Sequence, residues 1–272
     1  MTRKKPSLAD IRANKGKYQY SKLHVDNWEE IIAAEAAGID ILSVPPPFLT
    51  SPRFREVAPT AFAIPGLSLY DHDGTPDGFL RWGYEMMRAG ADAVYCPTSF
   101  STIRRMADEA IPVIGHVGLI PSKCSWTGGF KAVGKTAESA LEIWDMVRKY
   151  EDAGAFGAEI EVVPSDIAAE ISRRTPLFMI SMGSGTGCDA QYLFTCDVLG
   201  ENSGHIPKHA KVYRNFAAER EKLQQERIAA FREFHRDVQT SAFPEAAQIV
   251  TALPGEVEKF KAMLAKSSRR AL

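Results

Sequence analysis

The chain has 272 residues, 45% of them hydrophobic and 25% charged, with a net charge of −1. The length suits one (β/α)8 barrel of about 250 residues plus a short tail, and the charge gives no reason to expect nucleic acid or an anionic membrane as partner. No apolar run approaches the roughly 20 residues of a membrane span, and the basic N-terminus lacks the apolar core of a signal peptide, so we predict a cytoplasmic protein.

Helix and strand signals alternate through the first half of the chain. Residues 27–37 are a predicted helix, because apolar residues recur at helical spacing and Gly38 follows as a C-cap. Residues 75–89 are a second, with Thr75 as N-cap and Pro76 at the first position. The predicted strands are IDILSV (39–44), LSLYD (67–71), ADAVYC (91–96) and IPVIGHV (111–117), and a helix is predicted over 101–110.

The second half continues the alternation. Its predicted elements are a helix over 135–153, the strand AEIEVV (158–163), a helix over 165–174 and the strand LFMISM (177–182). A glycine-rich turn over 183–187 and a helix from about Asp189 follow. Residues 208–238 are predicted to be mostly helical.

Regular alternation of strands and helices predicts a parallel α/β architecture. Six or seven strands are recognisable, and the length brings the number to eight. We therefore predict a (β/α)8 TIM barrel as a single domain over 1–272, with an N-terminal extension over 1–20 and a C-terminal helical region over 208–272. A doubly wound open sheet is the alternative, but it would normally show GxGxxG after its first strand, and this sequence lacks that motif.

A carboxylate stands near the end of the strand predicted over 158–163. Glu161 lies in an apolar run shortly before Pro164, where burial would raise its pKa and suit it to proton transfer. The alternative is a structural carboxylate paired with a neighbouring Lys or Arg. Glu159 lies on the same face of the strand, two residues earlier. His116 is either an acid/base group or a core histidine bonded to backbone.

Four segments resemble the ketopantoate hydroxymethyltransferase family, within the phosphoenolpyruvate mutase/isocitrate lyase superfamily of barrels. They are IPVIGHVGLIPSKCSWTGGFKAVGKT (111–136), EDAGAFGAEIEVVPSDIAAEI (151–171), GSGTGCDAQ (183–191) and GHIPKHAKVYRNF (204–216). The resemblance implies an enolate held by magnesium, which attacks the one-carbon unit of methylenetetrahydrofolate. It also implies that Glu161 is the acid/base group and His116 an active-site histidine.

The first half departs from the family pattern at its metal and substrate ligands. The family's GDS motif is replaced by three prolines (45–47), which removes a metal-binding Asp. Its second metal Asp corresponds to Leu67 or Asp71, depending on where the loop is shortened, and we favour Asp71. Its K-x-E is replaced by Tyr95-Cys96-Pro97. Metal binding is therefore either lost or rebuilt.

A rebuilt site would use Asp71 and Asp73, with Glu159 as a further carboxylate, and His72 lies between the first two. A histidine with carboxylates favours Mn²⁺, Fe²⁺ or Zn²⁺ over Mg²⁺. The alternative is a solvated Asp-His-Asp-Gly turn. The four cysteines form no CxxC pair, which favours free thiols over a thiolate metal site.

Four residues are candidate substrate contacts. Tyr95 replaces a charged contact, and its hydroxyl can donate or accept a hydrogen bond. Lys131 flanks a glycine-rich loop and could hold an anion, although exposed lysines are usually solvated. Ser184 lies in the glycine turn, where backbone amides at a helix N-terminus could approach an anion, and the alternative is an ordinary turn. His72 is the fourth candidate.

We predict an enzyme that makes or breaks a C–C bond next to a carbonyl, by aldol or retro-aldol chemistry with hydroxymethyl or formaldehyde transfer. The altered contacts favour a small-molecule carbonyl or oxo-acid substrate that is bulkier or less charged than the family's own, with tetrahydrofolate implied by the resemblance. The alternatives are a metal-free, non-catalytic ligand-binding barrel, or a lyase or mutase acting on another oxo acid. The charged C-terminal region predicts a homo-oligomer.

Overall fold

Eight parallel strands form the central sheet of the computed structural model, which describes residues 3–66, 74–202, 204 and 206–267. Their order is β3-β2-β1-β8-β7-β6-β5-β4, and a parallel bridge between Gly66 and Tyr95 joins the two edges. The sheet thus closes into a barrel, which confirms the predicted (β/α)8 fold. The strands are β1 Tyr20–His24, β2 Ile41–Val44, β3 Phe62–Pro65, β4 Val94–Tyr95, β5 Val113–Gly118, β6 Gly157–Glu161, β7 Phe178–Met182 and β8 Ala190–Phe194.

Helices lie between most of the strands. They are α1 Leu8–Ala13, α2 Trp28–Ala37, α3 Pro46–Leu49, α4 Arg53–Val57, α5 Pro76–Arg88, α6 Phe100–Asp108, α7 Cys124–Thr127, α8 Ala137–Asp152, α9 Ser165–Arg174, α10 Thr195–Leu199, α11 Phe216–Gln239 and α12 Glu256–Ser267. The caps follow the sequence: the side chains of Asn27 and Thr75 accept from the first turns of α2 and α5, and Gly38 ends α2 in the left-handed conformation. No described helix is both long and apolar enough to cross a membrane.

The buried apolar residues form two clusters, one on each side of the sheet. The cluster inside the barrel includes Phe62, Phe156 and Phe178, all near the amino-terminal ends of their strands. Ile11 of α1 belongs to the same cluster, so this short helix covers that end of the barrel. The larger cluster fills the layer between the sheet and the surrounding helices. The amino-terminal end is therefore filled with apolar side chains, and polar groups gather towards the other end.

Strand register determines which polar side chains share the barrel interior. Residues paired across parallel strands point to the same face. Lys22 pairs with Tyr192, and His116 pairs with Glu159. Two residues further along, Glu161 pairs with Met182. These side chains belong to the inner face, towards the carboxyl ends of the strands.

The connection from β7 to β8 contains no helix, so the helix predicted from about Asp189 is wrong. The chain returns from β7 through residues 183–189 and enters β8 at Ala190. Asp189 does not cap a helix: its carboxylate accepts from the backbone N–H of Met179 at 2.8 Å and from Lys15 at 2.6 Å. It thereby ties the beginnings of β7 and β8 together.

Two further differences concern boundaries. The strand predicted over 67–71 lies outside the described residues, and β3 is instead the segment just before it, Phe62–Pro65. Residues 208–215 are not helical, and α11 begins at Phe216.

The chain divides into two compact units, one ending at Asn215 and one beginning at Phe216. The first contains the whole barrel. The second contains α11 and α12, joined by a segment with a short 3-10 helix, Ala246–Gln248. Many large apolar side chains of the second unit are exposed.

Candidate active site

A cavity of about 370 Å³ opens at the carboxyl ends of the barrel strands. Active sites of (β/α)8 enzymes lie at this end of the barrel. A larger hollow of about 920 Å³ lies at the opposite end, among residues that precede β1, β7 and β8, and it contains none of the predicted site residues. The smaller cavity is therefore the candidate site. Its lining residues are His24, Ser43, Gly66, Tyr95, Pro97, His116, Ile120, Pro121, Ser122, Glu159, Glu161, Met182, Tyr192 and Phe194.

Glu161 and His116 form the centre of one wall. His116 Nε2 lies 3.2 Å from Glu161 Oε2 and 2.9 Å from the carbonyl oxygen of Leu119. Both partners are acceptors, so Nε2 carries the proton. His116 Nδ1 is hydrogen-bonded to the Tyr95 hydroxyl at 2.7 Å. The arrangement holds one oxygen of the Glu161 carboxylate beside the His116 ring at the edge of the cavity.

The backbone around this pair is tightly fitted. A side chain at Gly118 would place its Cβ 2.3 Å from the carbonyl oxygen of Glu161, and the glycine has a φ of +87°. Val162, directly after Glu161, also has a positive φ of 50°, which is rare for a β-branched residue. The Tyr150 hydroxyl donates to the carbonyl oxygen of His116 at 3.2 Å. The end of β5 and the turn after β6 thus hold the two functional side chains in one arrangement.

Glu159 lies one layer deeper and is paired with a lysine. The side chain of Lys22 is 0% exposed, and its ammonium group donates to Glu159 Oε1. The same nitrogen lies 3.9 Å from the centre of the Tyr192 ring. Burial lowers the pKa of Lys22, and the neighbouring Glu159 carboxylate partly offsets that effect. The floor of the cavity is therefore a buried ion pair.

Two tyrosines at the cavity stay neutral. Burial raises the pKa of Tyr95 and of Tyr192 well above the usual value, and the nearby Glu159 carboxylate raises both further. A neutral phenol can donate a hydrogen bond to an oxygen on a bound molecule. The nearby Ser43 side chain partly offsets the raised pKa of Tyr192.

The predicted site residues divide into three groups. Glu161, His116, Glu159 and Tyr95 meet at the cavity. Lys131 is exposed on the loop after β5 and does not line the cavity, and Ser184 is buried, accepting from Val163 N–H at 3.0 Å and donating to the carbonyl oxygen of Ile160 at 2.9 Å. Asp71, His72 and Asp73 lie outside the described residues.

The glycine turn around Ser184 shapes the chain path. It leads into a strand, so its amides do not form the predicted helix N-terminus for an anion. A Cβ at Gly185 would lie 2.4 Å from Ser165, and one at Gly187 would lie 2.2 Å from Ala169. The glycines therefore allow the loop to lie directly against α9.

Comparison with known proteins identifies the family. Residues 55–246, more than half of the chain, match the family model described as ketopantoate hydroxymethyltransferase. This chain belongs to that family. The resemblance carried by the four sequence segments is confirmed, and with it the expectation of membership in a family of enzymes.

Named relatives support the same assignment. The 3-methyl-2-oxobutanoate hydroxymethyltransferase of Pyrobaculum arsenaticum is 32% identical over 190 residues, 69% of each chain. That of Cenarchaeum symbiosum is 36% identical over 168 residues, 61% of this chain and 62% of the relative. That of Bdellovibrio bacteriovorus is 35% identical over 164 residues, 59% of each. The chain matches less than two thirds of the length of the latter two.

Two solved structures share a similar chain path at low identity. One is 2,3-dimethylmalate lyase, described as a PEP mutase/isocitrate lyase superfamily member, with a TM-score of 0.48, 14% identity and coverage of 94% of this chain and 98% of that one. The other is a putative phosphonomutase from Burkholderia cenocepacia J2315, with a TM-score of 0.49, 16% identity and coverage of 69% and 91%.

The described residues at the mouth do not fit the magnesium ion that the ketopantoate hydroxymethyltransferase family implies. Magnesium is usually held by one or two carboxylates together with waters. Here one oxygen of Glu159 already accepts from the Lys22 ammonium, and one oxygen of Glu161 lies 3.2 Å from His116 Nε2. Among the residues that the structure describes, no group of three or more His, Cys, Asp or Glu is arranged for a metal.

Sequence reasoning missed three cavity-lining groups of this ketopantoate hydroxymethyltransferase relative and the lysine buried beneath them. His24 comes from β1, Ser43 from β2 and Tyr192 from β8, and the buried Lys22 also belongs to β1. Alternation along YSKLH places Lys22 and His24 on one face of β1, which was the available signal. Nothing in that segment indicated that the face lies inside a barrel.

Proposed function

We propose that this chain catalyses an aldol or retro-aldol reaction at the carbon next to a carbonyl, with Glu161 as the proton-transfer group. The observation that supports this most is the Glu161–His116–Tyr95 chain at the edge of the cavity. A carboxylate with one oxygen beside an imidazole N–H is suited to removing a proton from carbon, since it is oriented and largely desolvated. His116 holds the carboxylate in place.

The negative charge that develops on the carbonyl oxygen needs hydrogen-bond donors. Tyr192 is a neutral phenol at the cavity wall, because burial raises its pKa. The buried Lys22 ammonium lies beneath that ring. A donor and a nearby positive charge therefore occupy the side of the cavity formed by β1 and β8.

The lining supports a small substrate that carries little charge. The described lining contains no Lys or Arg to pair with a carboxylate, and Met182, Phe194 and Ile120 supply apolar surface. A volume of about 370 Å³ is near the lower end for ligand sites. We therefore propose a small ketone or weakly charged oxo compound as substrate, and a one-carbon partner of formaldehyde size in place of a bound folate. Action in the cytoplasm is part of the same proposal.

Exchange of the carbon-bound proton for deuterium tests the role of Glu161 without needing a second substrate. The protein would be incubated in D₂O with 3-methyl-2-oxobutanoate or with the uncharged 3-methylbutan-2-one, and the exchange followed by NMR. We expect exchange with at least one of them and a loss of about 10²- to 10⁴-fold in Glu161→Gln. Glu233→Gln, on the exposed face of α11, is the matched control.

Glu161→Gln with exchange as fast as the unchanged protein contradicts the proposal. Binding of either compound in a thermal-shift measurement, with no exchange by the unchanged protein, supports the non-catalytic ligand-binding barrel instead. A faster exchange of the uncharged ketone supports the proposed substrate class. A faster exchange of the oxo acid favours the substrate named in the relatives.

A further inference from the structure

A second polar chain lines the cavity and has no part in the function proposed above. His24 Nδ1 lies 3.2 Å from Ser43 Oγ, and His24 Nε2 lies 3.0 Å from Asp26 Oδ1. His24 and Ser43 both line the cavity. A serine, a histidine and an aspartate are thus connected from the cavity outwards.

The hydrogen-bonded chain of Ser43, His24 and Asp26 lies on the opposite side of the barrel from Glu161. The strand order places β1 four strands from β5 and β2 four strands from β6, on either path around the closed barrel. His24 on β1 therefore faces the side of His116 on β5, and Ser43 on β2 faces the side of Glu161 on β6. A molecule in the cavity lies between the two polar chains.

The two chains differ in their access to water. Glu161, His116 and Tyr95 connect groups that are mostly buried. The second chain ends at Asp26, whose side chain is 56% exposed. Protons can therefore pass between the cavity and solvent through His24, whereas the first chain has no comparable exposed end among its described partners.

Asp26 is held in place by the start of α2. Its backbone N–H donates to Glu30 Oε2 at 2.7 Å, and the Thr195 hydroxyl donates to the same oxygen at 2.6 Å. Asn27, the N-cap of α2, donates to the other oxygen of Glu30 at 2.7 Å. This buried network fixes the turn that presents Asp26 to His24. The backbone of Asp26 is therefore preorganised, and its exposed carboxylate reaches His24 from a fixed turn.

Aldol chemistry needs two proton transfers at two different atoms. In the forward direction a base removes the proton from the carbon next to the carbonyl, and the electron pair forms the new C–C bond to the one-carbon aldehyde. The electrons of the aldehyde C=O bond move to its oxygen, which then takes up a proton. A residue on the opposite wall can serve the oxygen while the residue on the first wall serves the carbon.

Resting on the function proposed above, we propose that His24 is a second acid/base residue, which acts on the oxygen of the one-carbon unit directly or through Ser43. Glu161 handles the carbon-bound proton, and His24 delivers the proton to the alkoxide oxygen and regains one from solvent. In the retro-aldol direction His24 removes the hydroxyl proton, and Glu161 returns a proton to the carbon. Asp26 is a positioning residue that holds the His24 ring.

The test compares two rates in the same variants. The first is deuterium exchange at the carbon next to the carbonyl, which needs Glu161. The second is formation of the hydroxymethyl product from formaldehyde and whichever of the two carbonyl compounds exchanges faster, measured by mass spectrometry. We expect His24→Gln to lose about 10²- to 10⁴-fold in product formation, while exchange falls no more than about threefold.

Asp26→Asn provides a second, milder variant, because it changes an exposed side chain. We expect the same split between the two rates, with a product loss of about tenfold that appears in kcat more than in KM. His235→Gln, an exposed histidine on α11, is the control that should change neither rate.

The outcomes separate this inference from the function on which it rests. Absence of both exchange and product formation in the unchanged protein rejects the proposed function. Normal exchange and product formation in the unchanged protein, with both rates reduced equally in His24→Gln and Asp26→Asn, rejects only the second acid/base role. Product formation at the unchanged rate in His24→Gln rejects it as well.

Discussion

Lys22 and Glu159 show how one buried pair determines the character of the cavity. The ammonium group sits inside a closed barrel, bonded to a carboxylate and resting against the Tyr192 ring. Each charge is acceptable in that place because the other is present, since an isolated buried charge is very unfavourable. The pair brings a positive charge beneath the cavity without presenting a lysine at its surface.

Lys22→Met should lower the free energy of unfolding by about 3–5 kcal/mol, because it leaves the Glu159 carboxylate buried without its cation. Urea denaturation measures the change. The double variant Lys22→Met/Glu159→Gln should recover a large part of it, since both charges are then gone. Arg173→Met, in an exposed ion pair of the same unit, should cost less than about 1 kcal/mol. Equal losses in Lys22→Met and Arg173→Met would count against a buried-pair role.

Among the elements, the connection from β7 to β8 departs most from a regular (β/α)8 barrel. Five residues in this part of the sequence, Gly183–Gly187, allow the chain to run along α9 without a helix of its own. Gly183 also lies against His209, since a Cβ there would be 2.7 Å from the imidazole ring. His209, in the segment that matches the family closely, thus packs against this loop.

Gly187→Ala should destabilise the barrel by about 1–3 kcal/mol, because the added methyl overlaps the Ala169 side chain of α9. The double variant Gly187→Ala/Ala169→Gly should restore part of that loss by removing the opposing methyl. Gly204→Ala adds a methyl in open space and serves as the control, with a change within about 0.5 kcal/mol. Unfolding in urea distinguishes these cases. A Gly187→Ala variant with an unchanged free energy of unfolding would mean that the loop does not lie on α9.

At the scale of the whole molecule, every described cavity residue belongs to the unit that ends at Asn215. The second unit exposes large apolar side chains, among them Phe231, Phe260 and Met263. Exposed apolar surface of this kind often marks an interaction site. The predicted homo-oligomer therefore stays a prediction, and the second unit is where we expect its contacts.

A chain ending at Asn215 should keep the barrel and its deuterium-exchange activity while becoming monomeric. Light scattering of the full and shortened chains measures the assembly, and circular dichroism with the exchange assay measures fold and activity. A full chain that is monomeric refutes the oligomer prediction. A shortened chain that remains an oligomer places the contacts on the barrel.

Stability should fall as the pH rises above about 9. Burial raises the pKa of Cys96 to about 11 and that of Cys188 to about 12, from 9.0. Below pH 9 both thiols are protonated in the folded and unfolded states, so their contribution is complete. Above it the unfolded state loses these protons first, and stability decreases. The raised pKa values of Tyr95 and Tyr192 add to this above pH 10, while the lowered pKa of Lys22 opposes it.

Cys188→Ala should reduce the slope of unfolding free energy against pH by up to about 1.4 kcal/mol per pH unit between pH 9 and 11, because one proton no longer differs between the states. Cys124→Ala, a partly exposed thiol, is the control and should leave the slope unchanged. Urea denaturation at several pH values gives both slopes. A slope in Cys188→Ala identical to that of the unchanged protein would contradict the raised pKa of Cys188 in the folded state.

The amino-acid sequence alone was enough to predict the alternation of strands and helices and to single out Glu161, His116, Glu159 and Tyr95 as site candidates. Apolar periodicity, caps such as Thr75 and glycine helix ends are local, so they can be recognised without knowing how the strands meet. The family segments added the roles that we expect for Glu161 and His116. Both kinds of information lie within short stretches of the chain.

The residues that form the opposite wall and the floor of the cavity could be recognised only from the folded barrel. Lys22 becomes a neighbour of Glu159 because the sheet closes on itself and fixes the register of β1 against β8. The same closure places His24 and Ser43 across the cavity from Glu161. Local alternation shows that two side chains share a face of a strand, but not that this face is enclosed. The same holds for the β7–β8 loop, whose glycines are explained by α9 pressing against them. Closure and packing are long-range properties, and they determined which polar groups share the cavity.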